Sequence, residues 1–310
     1  MTADRPFRHR AYGLSIDSSF ALPGVPTAER TERDPDLTIG WSLPEAAAPE
    51  TLTIMIPAAY AGAPAFGIRG DGAHALIWDG EIAILISSDI RAMQVYCRAE
   101  KLEFVPTLVV GIALGYVLHL RGVLCLHAAV FGDAEQAIAV MGNSGSGKSS
   151  LAAAMVRGGA KFYSDDLAAV TQTPDGGHRV FQGGLGLRVY PDSAAELLAG
   201  DEALEPVPYL NKSLWNLTGQ RLPAAPPRLA ALYWLEPSPA GTRPQVSPPM
   251  PLRDALRHVV RAWYPPYCRR LLSRQRLDQM RRLAEAVPLH IIRYEKSWDT
   301  LPPLLELLPR

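Results

Sequence analysis

Cysteine is scarce in this sequence, which has only Cys97, Cys125 and Cys268 among 310 residues. The three are widely spaced, odd in number and never arranged as Cys-x-x-Cys, which excludes a disulfide framework and a zinc ribbon. Free thiols are typical of a reducing compartment, and the first ten residues lack the apolar run of a signal peptide. We therefore expect a cytoplasmic protein.

The sequence also lacks an excess of charge and a long hydrophobic run. Lys plus Arg and Asp plus Glu number 31 each. A general binder of polyanions is basic, so no nucleic-acid partner is expected. The longest clean apolar run, Thr107 to Leu118, is too short to span a membrane and is typical of a buried helix. The remaining composition, with 48% hydrophobic residues, supports a sizeable core.

Residues 1–100 predict a small β-rich domain. Short apolar or alternating runs are separated by Gly, Pro and Asp, and Asp79-Gly80 between two of them is a hairpin signal. The predicted strands are Leu37–Trp41, Leu52–Ile56, Ala65–Ile68, Ala75–Trp78 and Ile82–Ile86. This part contains no catalytic constellation, so we expect it to complete the core or to present a binding surface.

Residues 101–310 predict an α/β core. A helical stretch from about Ile90 to Arg121, broken at Pro106, leads into a strand from Gly122 to Phe131. The predicted elements that follow are the strand Gln136–Met141, the helix Ser149–Arg157, the strands Lys161–Ser164, Leu167–Thr171 and Leu229–Leu235, the helices Leu252–Tyr264 and Cys268–Ala286, the strand Leu289–Arg293 and the helix Thr300–Leu308.

The sharpest motif is Gly142-Asn-Ser-Gly-Ser-Gly147-Lys148-Ser149, which matches the phosphate-binding loop G-x-x-x-x-G-K-[ST] between a predicted strand and a predicted helix. In such a loop, backbone N–H groups and the helix N-terminus hold a phosphate. Lys148 would bridge the β- and γ-phosphates of ATP, and the Ser149 hydroxyl would bind Mg²⁺. The alternative is a Gly/Ser turn before a helix. The residues assigned to nucleotide binding are Gly142, Asn143, Ser144, Gly145, Ser146, Gly147, Lys148, Ser149 and Ser150.

Two adjacent carboxylates, Asp165 and Asp166, follow the motif after one predicted helix and one predicted strand. In a β-α-β arrangement they lie at the C-terminal end of the strand beside the loop, where α/β sheets bind ligands. One would help to hold Mg²⁺ and the other would accept a proton from an attacking hydroxyl. The alternative is a helix cap or a solvated turn.

His127 is the third candidate, on the predicted strand that precedes the loop strand. The alternation of side chains does not settle which face of that strand it occupies. A lone histidine in an apolar strand is commonly a core residue whose hydrogen bonds are satisfied. Both interpretations stay open at this point.

These three features, in this order and spacing, resemble the HPr kinase/phosphorylase family and its broader set of HPr-kinase-like proteins. The matching stretches are Leu120 to Val130, Met141 to Ser149 and Arg157 to Asp166. The resemblance implies that His127 takes the place of the family's histidine before the loop. It also implies that Asp166 is the catalytic aspartate that accepts the proton from the substrate serine. Asp165 stays a second catalytic candidate and a metal ligand beside Ser149.

Weaker likeness extends to Leu185–Ser193, to Pro227–Glu236 and to the opening Tyr12–Ile16, and it is to the HPr-kinase-like branch. The "LEIRG"-type segment of true HPr kinases is absent from the sequence, and the β-rich region differs from theirs. Members of this branch occur in biosynthetic clusters for ribosomally made peptides, including lasso peptides. The resemblance therefore implies phosphorylation of a serine hydroxyl at the C-terminus of a precursor peptide.

Two further cations are candidates for binding the phosphoryl group or the substrate. Arg188 lies in Leu-Arg-Val-Tyr-Pro-Asp and Lys212 in Tyr-Leu-Asn-Lys-Ser. Either would bring positive charge to the transferring phosphoryl group. The alternative for both is ordinary surface charge.

We expect an α/β protein with a phosphate-loop core and a small β-rich N-terminal domain, acting as an ATP- and Mg²⁺-dependent serine kinase with a peptide as partner. The alternatives are a kinase for an HPr-type protein or a small molecule, and a nucleotide-binding regulator without transfer activity. No membrane partner is expected, and a homo-oligomer stays open.

Overall fold

The computed structural model describes most of the chain. The described residues are 7–29, 31–42, 52–58, 63–200, 204–207, 211–264 and 272–309. Cys268, the start of the predicted helix Cys268–Ala286, lies outside them. The fold is mixed α/β with several sheets and a β-rich N-terminal region.

The N-terminal region forms one sheet, with eight strands among the described residues in the order β1-β2-β3-β8-β7-β6-β5-β4. The strands are β1 (Phe7–Ala11), β2 (Leu14–Ser18), β3 (Leu37–Ser42), β4 (Leu52–Ile56), β5 (Ala65–Arg69), β6 (His74–Trp78), β7 (Ile82–Ile86) and β8 (Ala92–Cys97). All five predicted strands are confirmed. The predicted hairpin is confirmed too, because β6 and β7 pair antiparallel across Asp79 and Gly80, which have φ angles of 47° and 71°.

The helix predicted from Ile90 to Arg121 is wrong in its first part. Residues 92–97 form β8, which pairs with β7 and β3. The helical stretch follows later as α1 (Val105–Leu108), a π-helical turn (Val109–Ala113) and α2 (Leu114–Leu120). Pro106 lies in the first turn of α1 and does not break a helix, because a proline there removes no helical hydrogen bond.

The remaining residues form a second sheet, a small third sheet and five more helices within the described ranges. The strands are β9 (Leu124–Leu126), β10 (Ala128–Gly132), β11 (Gln136–Gly142), β12 (Lys161–Ser164), β13 (Ala168–Gln172), β14 (His178–Val180), β15 (Gly186–Val189), β16 (Leu204–Pro206), β17 (Ser213–Asn216), β18 (Arg228–Ser238), β19 (Gln245–Val246) and β20 (Leu289–Glu295). The helices are α3 (Lys148–Arg157), α4 (Pro191–Leu197), α5 (Leu252–Ala262), α6 (Arg274–Ala286) and α7 (Leu301–Leu305).

The direction of the central strands decides where the candidate residues meet. Strands β11, β18 and β20 are parallel neighbours, and β10 runs antiparallel between β11 and β12. One end of the sheet therefore contains the C-terminal ends of β11 and β12 and the N-terminal end of β10. The motif residues lie at this end.

Alternate residues of β11 point to opposite faces of the sheet, as the pleat requires. Ala139 and Met141 belong to a core that includes side chains of α2, α5 and α6 and of the N-terminal sheet. Ile138 and Val140 belong to a second core with side chains of α3 and α7. The central sheet is thus covered on both faces, and only its ends are available for a ligand.

The single strand predicted from Gly122 to Phe131 is wrong, because it is broken at His127. Strand β9 pairs with β13, whereas β10 pairs with β11 and β12. At the break, the His127 N–H donates to the Ala262 carbonyl at 2.6 Å, outside any strand ladder. A long-range contact with the end of α5 therefore divides a run that looks continuous in the sequence.

The two described cysteines, Cys97 and Cys125, are free and buried, as expected. Burial raises the pKa of the Cys125 thiol to about 12. Within the described ranges, no helix combines the length and the apolar character needed to cross a membrane.

Candidate functional site

The site is built around residues 142–149, called here the glycine loop, which connects β11 to α3. Gly147, the residue before α3, has φ of +93°, and a Cβ atom there would lie 2.5 Å from the Tyr294 hydroxyl. A Cβ at Gly142 would lie 2.5 Å from Ser146 Oγ. Both positions therefore require glycine, which lets the loop curl tightly between β11 and α3.

Lys148 starts α3 and is buried, with 7% of its surface exposed. Its ammonium donates to the carbonyls of Gly142 at 3.0 Å and Asn143 at 3.2 Å. Burial lowers the pKa of Lys148, against the opposing effect of the Asp165 and Asp166 carboxylates. A cation therefore lies inside the glycine loop, beside the N-terminus of a ten-residue helix. That combination favours an anion.

Tyr294 on β20 holds the glycine loop from the side. Its hydroxyl donates to the Ser146 carbonyl, and burial raises the pKa of Tyr294 to about 12, so the hydroxyl keeps its proton. Sequence reasoning missed this residue. Its only signal was the predicted strand Leu289–Arg293, which ends one residue earlier.

Asp165 and Asp166 lie in a tight turn directly after β12. Asp166 has φ of +63°, the Leu167 N–H donates to the Asp165 carbonyl at 2.7 Å, and the Ser164 hydroxyl donates to the Leu167 carbonyl. The prediction that the strand before the aspartates lies beside the loop strand is wrong, because β10 lies between β11 and β12. The pair still reaches the loop, since the C-terminal ends of β11 and β12 lie at the same end of the sheet.

Asp165 connects this turn to the glycine loop. The Ser149 hydroxyl donates to Asp165 Oδ2 at 3.3 Å, and the Arg188 backbone N–H donates to the same atom at 3.3 Å. Its other oxygen, Oδ1, is buried without a hydrogen-bond partner, although the residue as a whole is half-buried. Burial, followed by the charge of Asp166, raises the pKa of Asp165 to about 7. An unpartnered carboxylate oxygen is thus available at the site.

Asp166 has the opposite electrostatic balance. Burial acts to raise the pKa of Asp166, but His127 in its protonated form and the charges of Arg188, Lys212 and Lys148 outweigh it and lower that pKa. His127 Nδ1 lies 3.6 Å from Asp166 Oδ1, and Arg188 Nη1 donates to Asp166 Oδ2 at 3.4 Å. Adjacent carboxyl groups in such different surroundings are a recurring feature of acid–base sites.

His127 is fixed from two directions. Its Nδ1 lies 3.1 Å from the Asp166 carbonyl, and its ring stacks on Tyr264 at a centroid distance of 6.4 Å. A carbonyl can only accept a hydrogen bond, so Nδ1 carries the proton in the neutral ring. Burial lowers the pKa of His127, against the opposing charge of Asp166. The structure therefore brings His127 to the aspartate turn.

Arg188 and Lys212 come from neighbouring parts of the small third sheet. Arg188 lies on β15 and contacts both aspartates, as described above. Lys212 Nζ lies 4.7 Å from the centre of the Tyr190 ring, a cation–π contact, and its charge acts on both aspartates. Arg188 thus contacts the aspartate turn directly, whereas Lys212 acts on it through its charge.

The remaining residues assigned to nucleotide binding lie at the outside of the glycine loop or just after it. Ser144 and Gly145 of the loop are exposed. Ser150, the next residue after the loop, has its hydroxyl 2.9 Å from the Ser193 hydroxyl of α4. Asn143 Oδ1 accepts a hydrogen bond from Arg261 Nη2 of α5 at 3.1 Å. Sequence reasoning missed Arg261, which is 118 residues away from Asn143.

No group of three or more His, Cys, Asp or Glu side chains that could hold a metal ion is found in the part of the chain that the structure describes. The carboxylate and hydroxyl of Asp165 and Ser149 nevertheless lie together, and such oxygens suit Mg²⁺. A metal at this point would need further oxygen ligands from a bound molecule or from water.

Comparison with known proteins adds little to this geometry. No family model matches the chain, and no curated protein matches its sequence. One solved structure that it is similar to is the Hpr(Ser) kinase/phosphatase from Coxiella burnetii, at 10% identity and a TM-score of 0.31, over 59% of this chain and 92% of the other. A similarity of this size supports no conclusion about function.

Proposed function

We propose that the protein is a kinase that transfers the γ-phosphoryl group of ATP to the serine hydroxyl of a peptide. The observation that carries this proposal is the 3.3 Å hydrogen bond from Ser149, at the start of α3, to Asp165, in the turn after β12. This contact supports the proposal because it joins the aspartate pair to a loop whose sequence matches phosphate-binding loops. A protein that only binds a nucleotide needs the loop but not two carboxylates in opposite electrostatic surroundings.

In this proposal the glycine loop holds the phosphates of ATP. The N–H groups of the loop and the start of α3 face the anion, and Lys148 exchanges the two loop carbonyls for phosphate oxygens. The ammonium then pairs with negatively charged phosphate oxygens instead of the neutral carbonyls of Gly142 and Asn143. Tyr294 keeps the Ser146 carbonyl turned away from the anion.

Ser149 and Asp165 would hold Mg²⁺, with the remaining ligands from phosphate oxygens and water. The unpartnered Asp165 Oδ1 supports this assignment, because a buried carboxylate oxygen without a hydrogen bond is costly unless a ligand completes it. When bound, Mg²⁺ neutralises negative charge on the phosphates.

Asp166 would accept the proton of the acceptor. The serine oxygen attacks the γ-phosphorus in line, the bond from that phosphorus to the bridging oxygen of ADP breaks, and the serine proton passes to the Asp166 carboxylate. His127 and Arg188 keep this carboxylate ionised and oriented. Little covalent chemistry falls to the protein, so positioning and charge supply most of the acceleration.

Lys212 and Arg188 would stabilise the charge on the transferring group. Arg188 already contacts Asp166, and Lys212, which lies over the Tyr190 ring, acts on both aspartates through its charge. For the acceptor, we propose the C-terminal serine of a lasso peptide precursor. The support for that choice is the weaker likeness of Leu185–Ser193, Pro227–Glu236 and Tyr12–Ile16 to the HPr-kinase-like branch.

The direct test mixes the protein, Mg²⁺, ATP and candidate peptides and measures peptide mass, which should rise by about 80 daltons for each phosphoryl group. Lys148→Ala should abolish the gain. Asp166→Asn should lower the rate about a hundredfold or more while leaving ATP affinity nearly unchanged. Lys161→Ala and Asp34→Asn, changes at residues that are outside the site, are the matched controls and should behave as wild type.

The alternatives give different results in the same assay. If an HPr-type protein or a metabolite gains the phosphoryl group and the peptides do not, the protein is a kinase with a different acceptor. ATP that binds without turnover for any acceptor would indicate a nucleotide-binding regulator. Unchanged transfer in both the Lys148 and the Asp166 variants would contradict the site assignment.

A further inference from the structure

A cationic groove lies along helix α5. Arg253, Arg257 and Arg261 recur at every fourth position of this helix and are all exposed. They line a groove of about 690 Å³ together with apolar side chains. The lining that matters here is Arg253, Arg257, Arg261, Met250, Leu256 and Val260. Arginines along one side and aliphatic groups between them suit a peptide whose own charges are negative.

One carboxylate, Asp254, also lines the groove and accepts a hydrogen bond from Arg257 at 3.0 Å. Both side chains are well exposed, at 61% for Arg257 and 40% for Asp254. Exposed pairs of this kind are weak, so a carboxylate from another molecule can replace the aspartate. Three arginines against one aspartate leave the groove cationic.

Arg261 connects the lining of the groove to the glycine loop. This guanidinium donates to Asn143 of the glycine loop at 3.1 Å and lies 4.8 Å from the centre of the Trp234 ring. From Arg261 back to Arg253 the helix rises about 12 Å, at 1.5 Å per residue. An extended peptide covers that distance with about four residues.

We propose that this groove docks an acidic segment of the peptide acceptor, about four residues long, on the stretch of chain next to the serine. The inference rests on the proposed function, because it requires a peptide at the glycine loop. Glutamate or aspartate side chains would pair with Arg253 and Arg257, and the aliphatic side chains between the arginines would contact the peptide's carbon atoms. The groove would thus set which serine reaches Asp166.

The test measures peptide binding without relying on transfer. The probes are fluorescein-labelled synthetic peptides with a C-terminal serine preceded by four glutamates, and matched peptides with glutamine instead. Fluorescence anisotropy at low and high salt gives the dissociation constants for wild type and for Arg253→Glu/Arg257→Glu. Arg282→Glu on α6 is the matched control, because Arg282 is also an exposed helix arginine paired with an aspartate.

We expect a glutamate peptide to bind wild type about tenfold more tightly than its glutamine counterpart, and high salt to remove this preference. The double variant should lose the preference, whereas Arg282→Glu should keep it. Equal binding of the two peptide types by wild type, or an unchanged preference in the double variant, would overturn the proposal. Tighter binding of a single-stranded oligonucleotide than of the glutamate peptides would overturn it as well, as would a change in oligomeric state as the only effect of the double variant.

A separate measurement distinguishes failure of the kinase proposal from failure of the docking proposal. Titration of a fluorescent ATP analogue reports on the glycine loop, and the double variant should leave that affinity unchanged. Phosphoryl transfer to peptides without any preference for glutamate would support the kinase proposal and contradict the docking proposal. Glutamate preference without ATP binding would contradict the kinase proposal.

Discussion

Replacing Asp165 with asparagine should stabilise the folded protein at alkaline pH, although Asp165 belongs to the site. Burial raises the pKa of this carboxyl from its ordinary 3.8 to about 7. Between those values the folded protein keeps a proton that the unfolded chain has lost, so the wild type loses stability as pH rises through this window. About three pKa units at about 1.4 kcal/mol each set an upper limit of about 4 kcal/mol for the loss, complete above pH 7.

The assay is urea denaturation of wild type and Asp165→Asn at about pH 4 and about pH 8.5. We expect nearly equal stability at the lower pH and a gain of about 2–4 kcal/mol for the variant at the higher one. Asp166→Asn is the matched control with the opposite sign. The pKa of Asp166 is lowered, so its ionised form stabilises the fold, and the variant should lose stability at alkaline pH. Destabilisation by Asp165→Asn at the higher pH, or a difference that does not vary with pH, would refute the reasoning.

The remaining predictions concern the glycine loop and the metal. Gly147→Ala should lose more than about 2 kcal/mol in urea denaturation, because strain at positive φ adds to the clash with Tyr294. Gly159→Ala is the control, since it has positive φ but no neighbour within 4 Å, and an equal loss there would exclude the clash. Tyr294→Phe should lower the free energy of unfolding by about 1 kcal/mol and weaken binding of an ATP analogue in fluorescence titration, because it removes the hydrogen bond to the glycine loop. Tyr163→Phe is the control and should lower stability alone. Unchanged ATP affinity in Tyr294→Phe would show that Tyr294 does not hold the loop. Calorimetric Mg·ATP affinity should fall about tenfold from pH 8 to pH 6, because a proton on Asp165 competes with the metal, and an affinity that does not vary with pH would argue against Asp165 as a ligand.

Local patterns were enough to predict much of the fold. The five predicted N-terminal strands depend on alternation within a few residues, and Asp79-Gly80 specifies a turn because both residues adopt positive φ. The strand β11, the glycine loop and α3 are adjacent in the chain, so their order was visible as well. Cys125 in its apolar strand is buried, as an uncharged thiol in such a run should be.

The errors come from contacts between distant residues. Residues 92–97 form β8 between β3 and β7, with alternate side chains buried, and the helical interpretation missed this alternation. The break at His127 depends on the Ala262 carbonyl, and the place of β10 between β11 and β12 depends on the order of the whole sheet.

The same reason explains which site residues were found. His127 and the two aspartates stand in a recognisable order along the chain, whereas Tyr294 reaches Ser146 across 148 residues. A tyrosine near the end of a predicted strand has no local feature that marks it as a brace for a loop. Only the parallel pairing of β18 with β20 brings it there.

The central claim is that the glycine loop holds the phosphates of a nucleotide while Asp165 and Asp166 face the same point. A crystal structure with Mg²⁺ and a non-hydrolysable ATP analogue measures this directly. We predict a metal that contacts the Ser149 hydroxyl and the Asp165 carboxylate, a terminal phosphate bound by Lys148, and the Asp166 carboxylate directed at that phosphate. A nucleotide bound elsewhere, or aspartates that contact neither the metal nor the terminal phosphate, would contradict the account.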